Sequence, residues 1–144
     1  MSDYEEQSAR IKSVFKVVNE IPDVNEKYAS HYLEWLKQNL TLPCILTGIE
    51  SMGYFGWEEK YEFGYGTKKQ YEQYRKKYGS WREKYELKTL ERAKVGGDRD
   101  ILSSVVRLAD KKRFVIPLSE LQAVDESSEQ YQILNDYTVW HVNY

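Results

Sequence analysis

Apolar residues first recur at helical spacing: Ile11, Val14, Phe15 and Val18 fall at i, i+3, i+4 and i+7 with charged residues between them. This predicts an amphipathic helix, ended at Ile21-Pro22 because proline disfavours helical geometry in the residue before it. Asp23 and Glu26 have capping-box spacing, with Asp in the usual place of Ser or Thr. A second helix follows, with Ala29, Tyr32, Leu33, Leu36 and Leu40 on one face. Residues 42–49 form a short apolar run of strand length, with Pro43 near its start, where a missing ladder donor is tolerated. From 50 to 66 the text holds glycines and aromatics without a period, which reads as a structured loop with a ragged hairpin.

Thr67 and Gln70 form a capping box that opens a third helix, closed by Gly79, and Ser80 starts one further turn. Polar and apolar residues alternate over 85–91, the pattern of a half-buried strand. Gly96, Gly97 and Asp98 mark a turn. Residues 101–108 and 113–116 read as a hairpin joined through Asp110, Lys111 and Lys112. Residues 118–124 lead to Ser127, a cap for a short helix to about Asn135, and 138–144 read as a closing strand. Repeats, linkers and composition breaks are absent. The expectation is one α+β domain over 1–144, helical over 1–40 and β-rich over 41–144.

Composition narrows the class. The longest apolar stretch, 40–49, is broken by Thr41, Pro43, Thr47 and Gly48, well short of the about 20 apolar residues a membrane span needs. The N-terminus is acidic where a secretory signal is basic, so a cytoplasmic protein is expected. Cys44 stands alone, which excludes disulfide scaffolds and cysteine-based zinc sites. The net charge of −2 argues against a chain that binds nucleic acid over its whole surface, but the charge is unevenly placed. Residues 1–66 carry −5, 67–95 carry +6 and 96–144 carry −3.

The basic stretch is interleaved with tyrosine, and tyrosine is abundant, at 13 against four Phe and four Trp. Tyr71, Tyr74 and Tyr78 form a helical stripe, while the cations lie mostly elsewhere. One reading is an aromatic and cationic surface that binds a protein partner or stacks and neutralises nucleic acid, through Tyr71, Tyr74, Arg75, Lys76, Lys77 and Trp81. The other is an amphipathic helix that buries its tyrosines and solvates its lysines.

Catalytic patterns are missing. His31 and His141 have no acid or nucleophile near them in sequence, Cys44 sits in an apolar strand pattern, and no phosphate-binding, dinucleotide-binding or metalloprotease motif occurs, so an enzyme is not expected. Oxygen-ligand chemistry remains open, because a hard cation such as calcium takes six to eight oxygens, commonly from loops. Three acidic groups sit in loop-like text: Glu50 with Glu58, Glu59 and Glu62; Asp98 with Asp100; and Asp125 with Glu126. None has the twelve-residue EF-hand pattern.

Two stretches carry a family resemblance. Residues 32–43, a helix running into a strand with proline at its start, resemble the opening of the cyanobacterial calcium-binding protein family linked to heterocyst differentiation, and residues 113–121 resemble its closing strand and Pro-Leu-Ser turn. The resemblance implies a small SH3-like antiparallel β-barrel preceded by a helix, with calcium bound by acidic side chains. Against that pattern the chain has an extra N-terminal helix, a helical insertion over about 53–80 and an extension ending in 139–144. The expected function is that of a non-catalytic calcium-binding or calcium-responsive regulatory protein. Its expected ligands are Glu50, Glu58, Glu59, Asp98, Asp100 and Asp125. The alternative is an interaction module working through the Tyr/Lys-rich helix of 67–85.

Overall fold

The computed structural model describes residues 2–50, 53–92 and 100–144. Helix α1 (Asp3–Phe15) starts where the Ser2 hydroxyl accepts from the Glu5 amide, and Asp3, Glu5 and Glu6 place negative charge on its positive end. Lys16 ends it in the left-handed conformation, so Ile11, Val14 and Phe15 are buried while Val18, beyond the end, is 88% exposed. Helix α2 (Glu26–Asn39) is capped by Asn25, whose side chain accepts from the Tyr28 amide at 2.9 Å, in place of the expected Asp23. It buries Ala29, Tyr32, Leu33 and Leu36.

Five antiparallel strands follow: β1 (Ile45–Gly48), β2 (Lys84–Arg92), β3 (Ile101–Arg107), β4 (Arg113–Pro117) and β5 (Leu121–Ala123), in the order β4-β3-β2-β1-β5. Leu46 pairs with Tyr85 and Val105 with Phe114, and the register shifts between Leu87 and Thr89. β3 shows the period of two cleanly, with Ile101, Ser103, Val105 and Arg107 buried and the residues between them half-buried. The sheet does not close into the expected SH3-like barrel. Closure needs the two outer strands to meet, and here β4 and the three-residue β5 stay at opposite edges.

The last element corrects the sequence reading outright. Residues 138–143 belong to helix α5 (Glu129–Asn143), which Ser128 caps through a bond from the Tyr131 amide and Tyr144 ends. The helix wins because Ile133, Leu134, Tyr137 and Trp140 recur at three- and four-residue spacing and are all buried, against β5 and the preceding turn 118–120. Its rings join an aromatic core in which Tyr32 lies 5.1 Å from Tyr137, 5.2 Å from Trp140 and 5.4 Å from Phe15 between ring centres. Pairs of this kind are worth about 0.5–1.5 kcal/mol beyond the area they bury. The Trp140 indole finds its acceptor in the Pro22 carbonyl at 2.9 Å. Asp136, also buried, receives Arg10 in a two-pronged pair at 2.8 and 3.0 Å and Gln7 at 3.0 Å, tying α5 to α1.

Between β1 and β2 a single turn (Gly56–Glu58) and the short α3 (Glu59–Glu62) stand where a ragged hairpin is expected, and α4 (Lys68–Lys77) follows as the third helix the sequence predicts. The Thr67 and Gln70 capping box is made in both directions, at 3.1 Å each way. α4 buries none of its residues. The segment returns to the sheet at Gly48, whose amide donates to the Trp81 carbonyl at 3.0 Å. A side chain there would stand 2.4 Å from the Trp81 Cα, so only glycine fits. Among the described residues no helix is long and apolar enough to cross a membrane.

Candidate functional site

The acidic side chains divide sharply by environment. Glu58 is 1% exposed, and both its oxygens are taken: Tyr71 donates at 2.5 Å and Ser80 at 2.7 and 3.0 Å. Asp100 is 3% exposed and accepts from the Tyr137 hydroxyl (2.5 Å), the Ile101 amide (2.8 Å) and the Ser119 hydroxyl (2.5 Å). The Tyr137 hydroxyl is pushed upward in pKa, first by burial and then by the Asp100 charge. Asp125 is exposed and serves its own turn, accepting from the Ser127 amide and hydroxyl, which hold its carboxyl below the ordinary range. Glu58 and Asp100 are thus engaged on both oxygens by hydroxyl and amide donors, whereas Asp125 uses one oxygen within its own turn. Asp98 lies outside the described residues.

Glu50 behaves differently. It stands exposed just beyond β1, and its carboxyl meets that of Glu62 at the end of α3 in a hydrogen bond. That contact and the Glu62 charge push the Glu50 pKa up, with a smaller push from the Glu59 charge. Glu62 is held down in turn by the Trp81 indole, which donates at 3.0 Å, by Glu50, and by Arg82 at 2.9 Å. Two carboxyls in this position cannot both ionise freely, and either a shared proton or a cation relieves the repulsion. The donor set is all oxygen and open to water, which suits a hard cation. Among the described residues no three His, Cys, Asp or Glu side chains converge on one point, so such an ion would complete its shell with water or main-chain oxygens.

The structure thus brings together Glu50 and, through its charge, Glu59, and it separates Glu58, Asp100 and Asp125 from them. Glu62, grouped with them in sequence but left out of the expected ligands, is the other half of the pair. Its signal was the four-residue spacing from Glu58, which puts Glu58 and Glu62 one turn apart, while Glu59 supplies the second carboxylate of the turn. Glu120 carried no signal. Its carboxylate accepts from the Tyr54 amide at 2.7 Å and fixes the loop that follows Glu50.

The Tyr/Lys-rich residues are largely engaged inside the molecule. Tyr71 is tied to Glu58 and Arg75 to Glu83 at 2.6 and 2.7 Å. The Lys76 carbonyl receives Arg107 and Lys112, and the Trp81 indole is held by Glu62. The Lys77 ammonium rests over the Tyr78 ring at 5.5 Å. Tyr74 stacks on Trp57 and on Tyr78 and still keeps much of its ring in water. The helix therefore neither buries its stripe nor presents the whole of it. His141, which lacks an acid nearby in sequence, has Asp100 at 3.6 Å across the fold, although that carboxylate is already saturated.

An open five-stranded sheet under a helical layer carries an exposed carboxyl pair at the end of its first strand, and its oxygen donors are of the kind a hard cation takes. A protein-family profile described as calcium binding, of the CcbP type, matches residues 54–141, and the chain belongs to that family. Calcium is the ion this membership assigns. The match takes in the stretch read from sequence as an insertion over about 53–80. The crystal structure of CcbP from Anabaena superposes with a TM-score of 0.53 at 14% identity, covering 98% of this chain and 94% of that one, which is a likeness of fold. No curated protein matches the chain in sequence.

Proposed function

We propose that the protein is a non-catalytic, calcium-responsive protein and that its ion is held at Glu50 and Glu62, with Glu59 adding negative charge. The observation that carries this reading is the carboxyl pair itself, in which Glu50 lies against Glu62 and that contact pushes its pKa up. A divalent cation at the pair offsets the repulsion between the two carboxylates. Bound there, calcium supplies two positive charges and a demand for further oxygen ligands, which draws the end of β1 and the end of α3 together. That link between a strand and a helix is what a calcium-responsive element requires.

Calorimetric titration of the metal-free protein with calcium tests the reading. Heat that saturates with the wild type and is lost when Glu50→Gln and Glu62→Gln are combined is the expected result. Equal binding by that double variant would move the ion elsewhere, and no heat at millimolar calcium would end the proposal.

A further inference from the structure

Beside α3, Trp57, Tyr61, Phe63, Tyr65 and Tyr74 line a cleft of about 470 Å³, with Glu59 also in its lining. Trp57, Tyr61 and Tyr74 pack as a triangle, their ring centres 6.2, 6.2 and 6.3 Å apart. Phe63 and Tyr65 are 72% and 68% exposed. Aromatic side chains left this open in a small domain are more often a binding surface than a packing residue. The cleft is also not chemically indifferent. The ammonium of Lys60 sits 5.0 Å from the centre of the Tyr61 ring and 5.7 Å from that of Tyr74, the range in which ring faces attract a cation. In addition, the Tyr61 hydroxyl is buried without a hydrogen-bond partner, a state buried polar groups rarely keep.

We propose that this cleft binds an alkylammonium cation, which takes the place of the Lys60 ammonium over Tyr61 and Tyr74. The resident lysine marks the position, and Glu59, which lines the cleft beside it, offers a bound cation a counter-charge once Lys60 swings out. The volume exceeds what an ammonium needs and accommodates the apolar body of its carrier between the triangle and the outer rings. Lys60 leaves readily because its stem is flexible and its contact with the rings is exposed. A nucleobase stacked in the cleft would bring its phosphates toward the Glu59 carboxylate, which repels them.

The test uses the full chain in calcium-free buffer, with binding followed through the indole N–H resonance of Trp57. Choline provides the free-ligand arm, a short peptide with one trimethylated lysine provides the side-chain arm, and 3,3-dimethylbutanol provides the neutral isostere of choline. Saturable shifts with either cation and none with the isostere are expected, and the arm that saturates at lower concentration names the source. Lys60→Met should tighten binding about two- to fivefold, equivalent to roughly 0.5–1 kcal/mol of displaced cation–π contact. Tyr74→Ala should weaken it while the thermal midpoint confirms the fold. Equal response to the isostere, weaker binding by Lys60→Met, saturation only with a single-stranded oligonucleotide, or no saturation up to about 50 mM of either cation overturns the proposal.

Discussion

Arg107 donates to the main-chain oxygen of Arg75 at 2.6 Å, so a cation on the sheet closes the end of a helix that carries cations itself. The same guanidinium reaches the Lys76 carbonyl at 3.2 Å, grips Asp110 with two bonds at 2.9 and 2.7 Å, and lies 5.0 Å from the centre of the Phe114 ring. It is 2% exposed. A positive charge at a helix C-terminus complements the dipole and satisfies carbonyls that lack partners. Since α4 has no buried residue, this polar clamp does what an apolar face would otherwise do.

Arg107→Lys keeps the charge and loses the fork, and it should lower the unfolding free energy by about 1–3 kcal/mol in urea denaturation. Asp110 gives a second readout. Its pKa is lowered from 3.8 to about 2, chiefly by the bond from Arg107. A carboxylate depressed on folding stabilises the protein above its ordinary value, and that stability is lost as pH falls from about 4 to about 2. In the lysine variant Asp110 should titrate closer to its ordinary value and this part of the acid transition should flatten. Asp110 is largely exposed, so the effect is small.

Arg82 competes with any cation for Glu62, since it already donates to it at 2.9 Å. Arg82→Ala should therefore tighten calcium binding severalfold, and Glu62→Gln alone should weaken it about tenfold, roughly 1.4 kcal/mol. Opposite signs for the two variants in the same titration are the critical result. A loss with both would make Arg82 a support of the site.

Glu58 serves as the control carboxylate. Glu58→Ala strands the Tyr71 and Ser80 hydroxyls and should cost about 1–3 kcal/mol of stability. It should leave calcium affinity unchanged, measured at a temperature where the variant is folded. Weaker calcium binding in the folded variant would restore Glu58 to the ligand set.

Cys44 is completely buried, and burial alone pushes its thiol up to about 11. The thiolate is the reactive form, so a chromogenic disulfide reagent near pH 8 should react only as fast as the protein opens. Adding denaturant should release a full equivalent at once.

Gly48→Ala would force a Cβ to within 2.4 Å of the Trp81 main chain and 2.9 Å of the Phe55 ring. Neither neighbour is a flexible tip, so a loss of about 1–3 kcal/mol or more is expected, visible as a lower thermal midpoint. An unchanged midpoint would show that the 80–83 turn moves freely against β1.

Elements that announce themselves locally were legible in the sequence. The Thr67 and Gln70 capping box, the Ile11–Val14–Phe15 spacing and the hairpin of 101–108 with 113–116 rest on neighbours in the chain, and the structure holds all three. α5 was misread because Val139, Trp140, Val142 and Tyr144 are β-favouring residues, while the pattern that makes it helical spans 133 to 140 and is decided by what it packs on. The carboxylates were visible as groups, but their fate depended on donors far away in sequence. Tyr137 lies 37 residues from the Asp100 it saturates, and Ser80 lies 22 from Glu58. No local pattern separates those from Glu50, which meets another carboxylate where the others meet hydroxyls.

The pairing of Arg10 with Asp136 spans 126 positions. During synthesis, α1 and α2 leave the ribosome long before α5 exists, so the part of their buried faces that α5 covers stays open in the meantime, and the helical layer is completed only when α5 arrives. A nascent chain stalled before residue 129 would present Ile11, Phe15 and Tyr32 to chaperones.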